Sequence, residues 1–198
     1  IELRAAGICL PVLVLFGAHE KGYRALVEHR LSPCIWREDQ LQHYQEALGD
    51  AQGDFHIEVD TGMHRVGLRA EQLANFLTRV EAYPGLRLRG VYTHFANADL
   101  GDPKFNNQQL DTFLKASQKL LEVKDKVSII HAANSAALLT TPRSHQGMIR
   151  PGLIVYGLNP LGADATTLSF RPAMRWTTRG IDLRDVKVGE RVSYGGVW

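Results

Sequence analysis

Strand-like and helix-like segments alternate along most of the 198-residue chain, and this alternation constrains the fold more than any other feature. Short apolar runs such as Pro11–Phe16 and Leu88–Phe95 are each followed by a stretch with apolar residues at helical spacing. The stretch that begins at Leu110 has the clearest amphipathic spacing. Repeated alternation of this kind predicts an α/β fold with a parallel sheet covered by helices.

Six strand–helix units are predicted in about 160 residues. The predicted strands are Pro11–Phe16, Ser32–Trp36, Phe55–Asp60, Leu88–Phe95, Val127–His131 and Met148–Arg150, and the helices that follow begin near Glu20, Glu38, Leu73, Leu110, Ser135 and Pro151. A complete (β/α)8 barrel takes roughly 250 residues, so we expect residues 1–165 to form a partial TIM barrel that lacks its first two units.

The pattern changes after Ala163. Ala173–Leu183 and Lys187–Trp198 read as β-rich, so residues 166–198 are predicted to begin a second, β-type domain. The chain starts at Ile1 rather than Met and stops within a predicted strand. We therefore expect an internal fragment of a longer polypeptide, with both domains truncated.

Composition argues against several classes of partner. The net charge is +2 without a cluster of Lys or Arg, which argues against nucleic acid. The longest apolar run, Ile8–Phe16, is too short to span a bilayer and is not preceded by a charged segment, so neither a membrane span nor a secretion signal is predicted. Cys9 and Cys34 fit neither a disulfide framework nor a zinc site, which predicts a reducing cytoplasm and no metal.

Polar groups follow four successive predicted strands. They are Asp60-Thr61-Gly62 with Arg65 just beyond, Thr93-His94, Ala133-Asn134-Ser135 and Arg150-Pro151-Gly152. The carboxyl ends of the strands form the active site in parallel barrels, so these four ends predict a site.

Two of these ends are suited to an anion. Ser135 offers a hydroxyl at the start of a helix, and Gly152 and Leu153 lie in the first turn after Pro151. Free amides at helix starts bind phosphate, and barrels often hold one after their seventh and eighth strands. The residues alone therefore predict a phosphorylated cofactor or substrate.

Five motifs resemble those of the alanine racemase family, in the family's order and at compatible spacing. They are VDTGMHRVG (59–67), YTHFANAD (92–99), HAANSAA (131–137), IRPGLIVYG (149–157) and VSYG (192–195). The resemblance implies a barrel of fold type III that depends on pyridoxal 5'-phosphate (PLP), followed by a C-terminal β domain. It also implies a homodimer with shared active sites that interconverts L- and D-alanine for cell-wall supply or alanine catabolism.

The resemblance implies roles for the matching residues. Arg150 matches the arginine that faces the pyridine nitrogen of the cofactor, and it would keep that nitrogen unprotonated because a guanidinium does not give up its proton. His94 matches the histidine between Arg150 and a catalytic tyrosine, and the neighbouring cation predicts a neutral ring. Arg65 resembles an arginine near the substrate carboxylate. The other positions expected to bind or surround the cofactor are Tyr92, Asn134, Ser135, Gly152 and Leu153.

Tyr194 matches the tyrosine that the partner subunit supplies in this family. It would face one side of the substrate α-carbon, and a lysine that carries PLP as a Schiff base would face the other, because racemisation needs a base on each face. An ordinary tyrosine pKa of ~10 is too high for an efficient base, and we expect a relay through His94 and Arg150 to lower it.

The sequence departs from the family in two places. Glu58 stands where many racemases have a lysine, often carbamylated, and we hypothesise that its carboxylate positions Arg65, so that Glu58→Gln would weaken activity. The chain has no lysine in the context Lys-Ala-(Asn/Asp)-Ala-Tyr-Gly, so the PLP lysine is expected upstream of Ile1 and this fragment alone is expected to be inactive.

Two alternatives stay open at this point. A non-enzymatic PLP-binding homeostasis protein is favoured if the full gene lacks the lysine. A racemase for serine or for a larger basic amino acid such as lysine is also compatible, because part of the pocket wall is missing. Arg150 argues against a basic amino-acid decarboxylase, which usually has an acidic residue at the pyridine nitrogen.

Overall fold

The computed structural model describes residues 1–121, 129–162 and 169–196, with the side chains of residues 119–121 excepted. In these residues the helices are α1 (Glu2–Ala5), α2 (Tyr23–Glu28), α3 (Glu38–Leu48), α4 (Leu73–Val80), α5 (Pro103–Leu121) and α6 (Ser135–Thr140). The strands are β1 (Val12–Val14), β2 (Leu31–Pro33), β3 (Gly53–Asp60), β4 (Leu68–Arg69), β5 (Leu86–Tyr92) and β6 (Ile129–His131), and 3-10 helices span Glu20–Gly22, Ala70–Gln72, Pro142–Ser144 and Leu153–Tyr156.

The paired strands of the described residues are all parallel, as the alternation predicts. β1 pairs with β2, β3 pairs with β4 and β5, and β5 pairs with β6. Single bridges join Cys34 to His56 and His131 to Met148, so β2 adjoins β3 and residue 148 lies beside β6. Apart from the short β4, the strands follow one another in chain order, which is the arrangement of an incomplete (β/α) barrel.

Local sequence explains where the longer helices begin and end. α3 begins where the side-chain oxygen of Gln40 accepts a hydrogen bond from the Arg37 amide at 3.0 Å, and it ends at Gly49, whose φ of +57° suits a helix terminus. α5 begins with a proline, which is favoured at the first helical position, and Asp102 accepts a hydrogen bond from the Phe105 amide at 3.0 Å.

The apolar core lies between the sheet and the helices. Ile57 and Val59 of β3 pack with Leu41, Leu110 and Phe113 from the helices, and all five are fully buried. Successive side chains of a strand point to opposite faces, so His56 and Glu58 lie on the other face of β3. Both are buried as well, which places polar side chains inside the arc of strands.

The segment after the barrel differs from the prediction. Residues 169–196 contain no strand, and the side chains of Trp176, Ile181 and Val188 are exposed. The strands predicted in Ala173–Leu183 and from Lys187 onward are therefore absent from these residues. The Ala173 amide donates to the Tyr156 carbonyl at 3.0 Å, but a strand needs a row of such backbone bonds to a neighbour. The β-type domain over 166–198 stays a prediction, and residues 166–168, 197 and 198 lie outside the described ranges.

Smaller differences from the prediction concern the ends of some elements. The predicted strand Met148–Arg150 forms one bridge at Met148, and the helix expected from Pro151 is a 3-10 helix that begins at Leu153. Val127 and Ser128 of another predicted strand lie outside the described residues. Within the described ranges, none of the helices combines the length and the hydropathy that crossing a membrane requires.

Candidate active site at the carboxyl ends of the strands

Three neighbouring strands place polar residues side by side. Glu58 of β3 is the register partner of Tyr92 of β5, and Tyr92 is the register partner of His131 of β6. Register partners in parallel strands share a face of the sheet, so the three side chains form a row. All three side chains are buried, so their polar atoms need hydrogen-bond partners within the protein.

Arg150 joins this row through His131. Its guanidinium nitrogens lie 2.7 Å from His131 Nδ1, 2.7 Å from the Thr93 carbonyl and 3.1 Å from the Ala132 carbonyl. A guanidinium only donates, so His131 accepts at Nδ1 and carries its proton on Nε2. Nε2 lies 3.0 Å from His56 Nδ1, which must therefore accept. One chain of hydrogen bonds runs from Arg150 through His131 to His56.

The histidines near Arg150 are neutral. Burial, followed by the charges of Arg150 and of His56, lowers the pKa of His131 to about 2. Burial also lowers the pKa of His56 to about 4. Burial, then Arg150, then Arg65 lower the pKa of His94 to about 4, so its ring is able to accept a hydrogen bond at neutral pH.

These three histidines are expected to make the fold sensitive to acid. An unfolded histidine has a pKa of ~6.5, so below that pH the unfolded state binds protons that the folded state does not yet bind. The free energy of unfolding should therefore fall as the pH falls from about 6.5 toward the lowered values near 4, by ~1.4 kcal/mol per histidine and pH unit. Glu58 opposes part of this loss, because burial raises its pKa.

Urea unfolding of the full gene product across this pH range measures the effect. His56→Gln removes one titrating ring and should reduce the slope. A free energy of unfolding that is constant between about pH 6.5 and about pH 5 would contradict this prediction.

Tyr92 is fixed by contacts of both its hydroxyl and its ring. The hydroxyl lies 2.8 Å from Glu58 Oε2 and 2.9 Å from the carbonyl oxygen of Leu15. The ring stacks on His131 with centroids 4.8 Å apart, and the Arg150 guanidinium lies 4.8 Å from its centre. Tyr92 thereby connects Glu58 to the Arg150–His131 pair.

Glu58 does not make the contact that was expected of it. It faces Tyr92 within the sheet, whereas Arg65 lies on the exposed turn after β3 with its guanidinium 4.6 Å from the centre of the Phe16 ring. Among the described residues the two side chains form no salt bridge. The charge of Arg65 is still close enough to lower the pKa of Glu58, against the larger effect of burial, which raises it.

A buried glutamine of α5 joins the loops that follow β3 and β5. The side-chain nitrogen of Gln109 lies 3.4 Å from Thr61 Oγ1 and 3.3 Å from the His94 carbonyl, and its oxygen accepts from the Ala96 amide at 3.1 Å. Thr61 and Thr93 also bond to each other through their hydroxyls at 2.7 Å. These hydrogen bonds therefore connect the carboxyl ends of β3 and β5.

The two turns predicted to hold phosphate are adjacent. Ser135 Oγ accepts a hydrogen bond from the Ile154 amide at 3.4 Å, which joins the start of α6 to the 3-10 helix Leu153–Tyr156. Asn134 caps α6 by accepting from the Ala137 amide at 2.9 Å. A Cβ placed on Gly152 would meet no atom within 4 Å, so this turn borders open space.

Arg150 keeps one hydrogen-bond donor free. Its Nε is buried and has no partner in the part of the chain that the structure describes. A buried unpaired donor costs free energy unless a ligand pairs with it. The donor suits an aromatic nitrogen with a lone pair, such as that of a pyridine ring.

The sequence of this fold matches a known family. The model of the family described as the alanine racemase N-terminal domain matches residues 1–160. The chain belongs to this family. The expected partial (β/α)8 barrel of an alanine racemase domain is thereby confirmed, since the parallel arc of strands is present in the same residues.

Named relatives and solved structures agree with the family. An alanine racemase of Syntrophobacter fumaroxidans is 34% identical over 200 residues, which cover 100% of this chain and 53% of the relative. Another, of Nostoc sp., is 35% identical and is matched by 98% of this chain over 52% of its own length. The chain therefore spans about half the length of the curated relatives it matches.

Two solved alanine racemases have the same fold over the whole chain. The biosynthetic enzyme of Pseudomonas aeruginosa is 34% identical with a TM-score of 0.81, and 54% of that structure is covered. The Bacillus anthracis enzyme, described with bound L-Ala-P, is 29% identical with a TM-score of 0.86, and 52% of it is covered.

Not every predicted residue of this alanine racemase domain is brought to the site. Arg150, Tyr92 and Glu58 are joined by contacts, and Ser135 lies beside the Leu153 turn. Tyr194 is 99% exposed in the segment after the barrel, away from these contacts.

Sequence reasoning missed His131, His56 and Gln109. His131 is the last residue of β6, as Tyr92 is of β5, and His56 lies on the same face of β3 as Glu58. Their positions along the strands could therefore have identified both histidines. Gln109 lies within a predicted helix and carries no comparable signal.

A separate cavity of about 460 Å³ lies at the opposite ends of the strands. Its lining includes Arg4, Pro11, Ser32 and Asp54, which precede or begin strands β1 to β3. Active sites of parallel barrels lie at the other end, so we assign no ligand to this cavity.

Proposed function

We propose that the protein containing this chain is a PLP-dependent racemase that interconverts L- and D-alanine. The observation that carries the proposal is the unpaired, buried Nε donor of Arg150 beside His131 and Tyr92. Membership of the alanine racemase family supports the same reaction.

The residues present fit the cofactor. Arg150 would donate from Nε to the pyridine nitrogen, Ser135 with the Gly152–Leu153 turn would hold the phosphate, and Asn134 would keep the start of α6 in position. When bound, PLP makes the α-proton of an attached amino acid acidic enough to be removed by a side-chain base. A donor that stays protonated at Arg150 makes the ring a weaker electron sink, which limits side reactions.

Protons are exchanged by side chains on the two faces of the substrate. We assign one face to Tyr194 of the partner subunit in a homodimer, because its motif VSYG (192–195) resembles the one that supplies this tyrosine in the family. The neutral His94 accepts a hydrogen bond and relays the influence of Arg150 to that tyrosine. The other base is a lysine outside this chain, and Arg65 at the edge of the site binds the substrate carboxylate.

We further assign the product to cell-wall synthesis or alanine catabolism, and the protein to the cytoplasm. The free thiols of Cys9 and Cys34 support the cytoplasmic assignment, because a reducing compartment keeps cysteines unpaired.

The test is an assay of the full gene product. Purified with PLP, it should convert either alanine enantiomer to the racemic mixture, followed by chiral chromatography, and an upstream lysine in the context Lys-Ala-(Asn/Asp)-Ala-Tyr-Gly should be present. Racemisation of serine or lysine but not of alanine would show that the substrate is that amino acid and not alanine. Bound PLP without any turnover, in a gene that lacks the lysine, would replace the enzyme by a PLP-binding homeostasis protein.

A further inference from the structure

The Tyr92 hydroxyl has more acceptors around it than it has protons. It lies 2.9 Å from the Leu15 carbonyl oxygen and 2.8 Å from Glu58 Oε2. A carbonyl oxygen only accepts, and a hydroxyl has one proton to donate and two lone pairs that accept. If Glu58 were a carboxylate, two acceptors would compete for one proton and one short oxygen–oxygen contact would contain no hydrogen.

A proton on Glu58 resolves this conflict. Tyr92 then donates to Leu15 and accepts from the carboxylic acid of Glu58, so both short contacts are hydrogen bonds. The hydroxyl then donates its one proton and accepts one hydrogen bond.

We propose that Glu58 is a positioning residue held as a neutral carboxylic acid, whose O–H donates to Tyr92 and fixes that ring beside Arg150. The ring it fixes stacks on His131 and lies under the Arg150 guanidinium. Glu58 therefore acts on Arg150 through Tyr92 and does not act as a carboxylate on Arg65. This inference rests on the proposed function only where it concerns the cofactor.

The groups around Glu58 have opposing effects on its pKa. Burial favours the neutral acid and is the largest effect, and the charge of Asp60 acts with it. The hydrogen bond of Tyr92 and the charges of Arg65 and Arg150 favour the carboxylate. The net effect of these groups raises the pKa of Glu58, which agrees with the hydrogen-bond geometry.

Infrared difference spectroscopy of the full gene product tests the protonation state. The spectrum of the wild type minus that of Glu58→Gln, recorded at neutral pH, should contain the carbonyl stretch of a protonated carboxylic acid. In Tyr92→Phe this band should shift, because its hydrogen-bond partner is removed. A difference spectrum that contains only carboxylate bands would overturn the proposal.

Cofactor affinity tests the positioning role. The amide of Glu58→Gln can donate to Tyr92 as the acid does, so the apparent Kd for PLP should stay within about threefold of the wild type, whereas Glu58→Met, which cannot donate, should weaken it by about tenfold. Equal losses in both variants would mean that the negative charge matters, and the proposal would fail. A wild type that binds PLP but racemises nothing would remove the proposed function, while the infrared result would still decide the state of Glu58.

Discussion

Tyr194→Phe in the full gene product is expected to lower kcat for alanine racemisation by about 10²–10⁴-fold, the usual contribution of one acid–base group. The substitution removes only the hydroxyl of Tyr194 and keeps its ring, so folding should be unaffected. The loss in kcat/KM should be the same from L- and D-alanine, because the equilibrium constant between enantiomers is fixed.

Exchange of the α-proton with solvent separates the two faces. The enantiomer whose α-proton faces Tyr194 should lose a deuterium label far more slowly in the variant, while label on the other enantiomer should still be lost. Tyr83→Phe is the matched control, since it removes a hydroxyl before β5, at the opposite end of the sheet. Equal rates in Tyr194→Phe and the wild type would remove Tyr194 from the mechanism.

Gly90→Ala is expected to lower the free energy of unfolding by about 2–3 kcal/mol, the upper range for overpacking a buried site. A Cβ at this position would lie 2.4 Å from His56 Nδ1 and 3.0 Å from the Ile129 carbonyl. The His56 ring cannot move aside freely, because the same nitrogen accepts from His131. We therefore expect the hydrogen bonds between His131 and Arg150 to be disturbed as well.

Urea unfolding of the full gene product measures this change. Gly180→Ala is the matched control, because a Cβ there meets no atom within 4 Å, and its effect should stay within about 0.5 kcal/mol. Adding His56→Ala to Gly90→Ala should recover part of the loss, since the side chain that clashes is removed. A Gly90→Ala variant as stable as the Gly180→Ala control would show that the ring has room to move.

The sequence predicts those parts of the fold that depend on short-range periodicity. α3 and α4 begin at the predicted residues Glu38 and Leu73, and the strands follow in the predicted order with parallel pairing. The polar strand ends could be found in the same way, because Asp60 and Thr93 directly follow apolar runs. Residues 173–196 show the limit of this reasoning, since strand-forming residues make no strand without a neighbour.

Contacts between distant strands could not be predicted from these patterns. His56 and His131 are separated by 75 residues, and Glu58 and Tyr92 by 34, so each pair meets only through the register of three strands. A shift of one residue in that register would reverse the face of each side chain. The hypothesis that Glu58 positions Arg65 came from the family's lysine at this place, whereas the partner that the register gives Glu58 is Tyr92.

The buried amide of Gln109 has a consequence for how the site opens. Its hydrogen bonds to Thr61, His94 and Ala96 tie two loops to one helix, and the side chain is only 1% exposed. Neither loop can detach without leaving buried polar groups unpaired, so the two form one unit of local unfolding. Amide hydrogen exchange in residues 61–64 and 94–97 should therefore have a shared opening free energy, and the mouth of the barrel should open as a single piece.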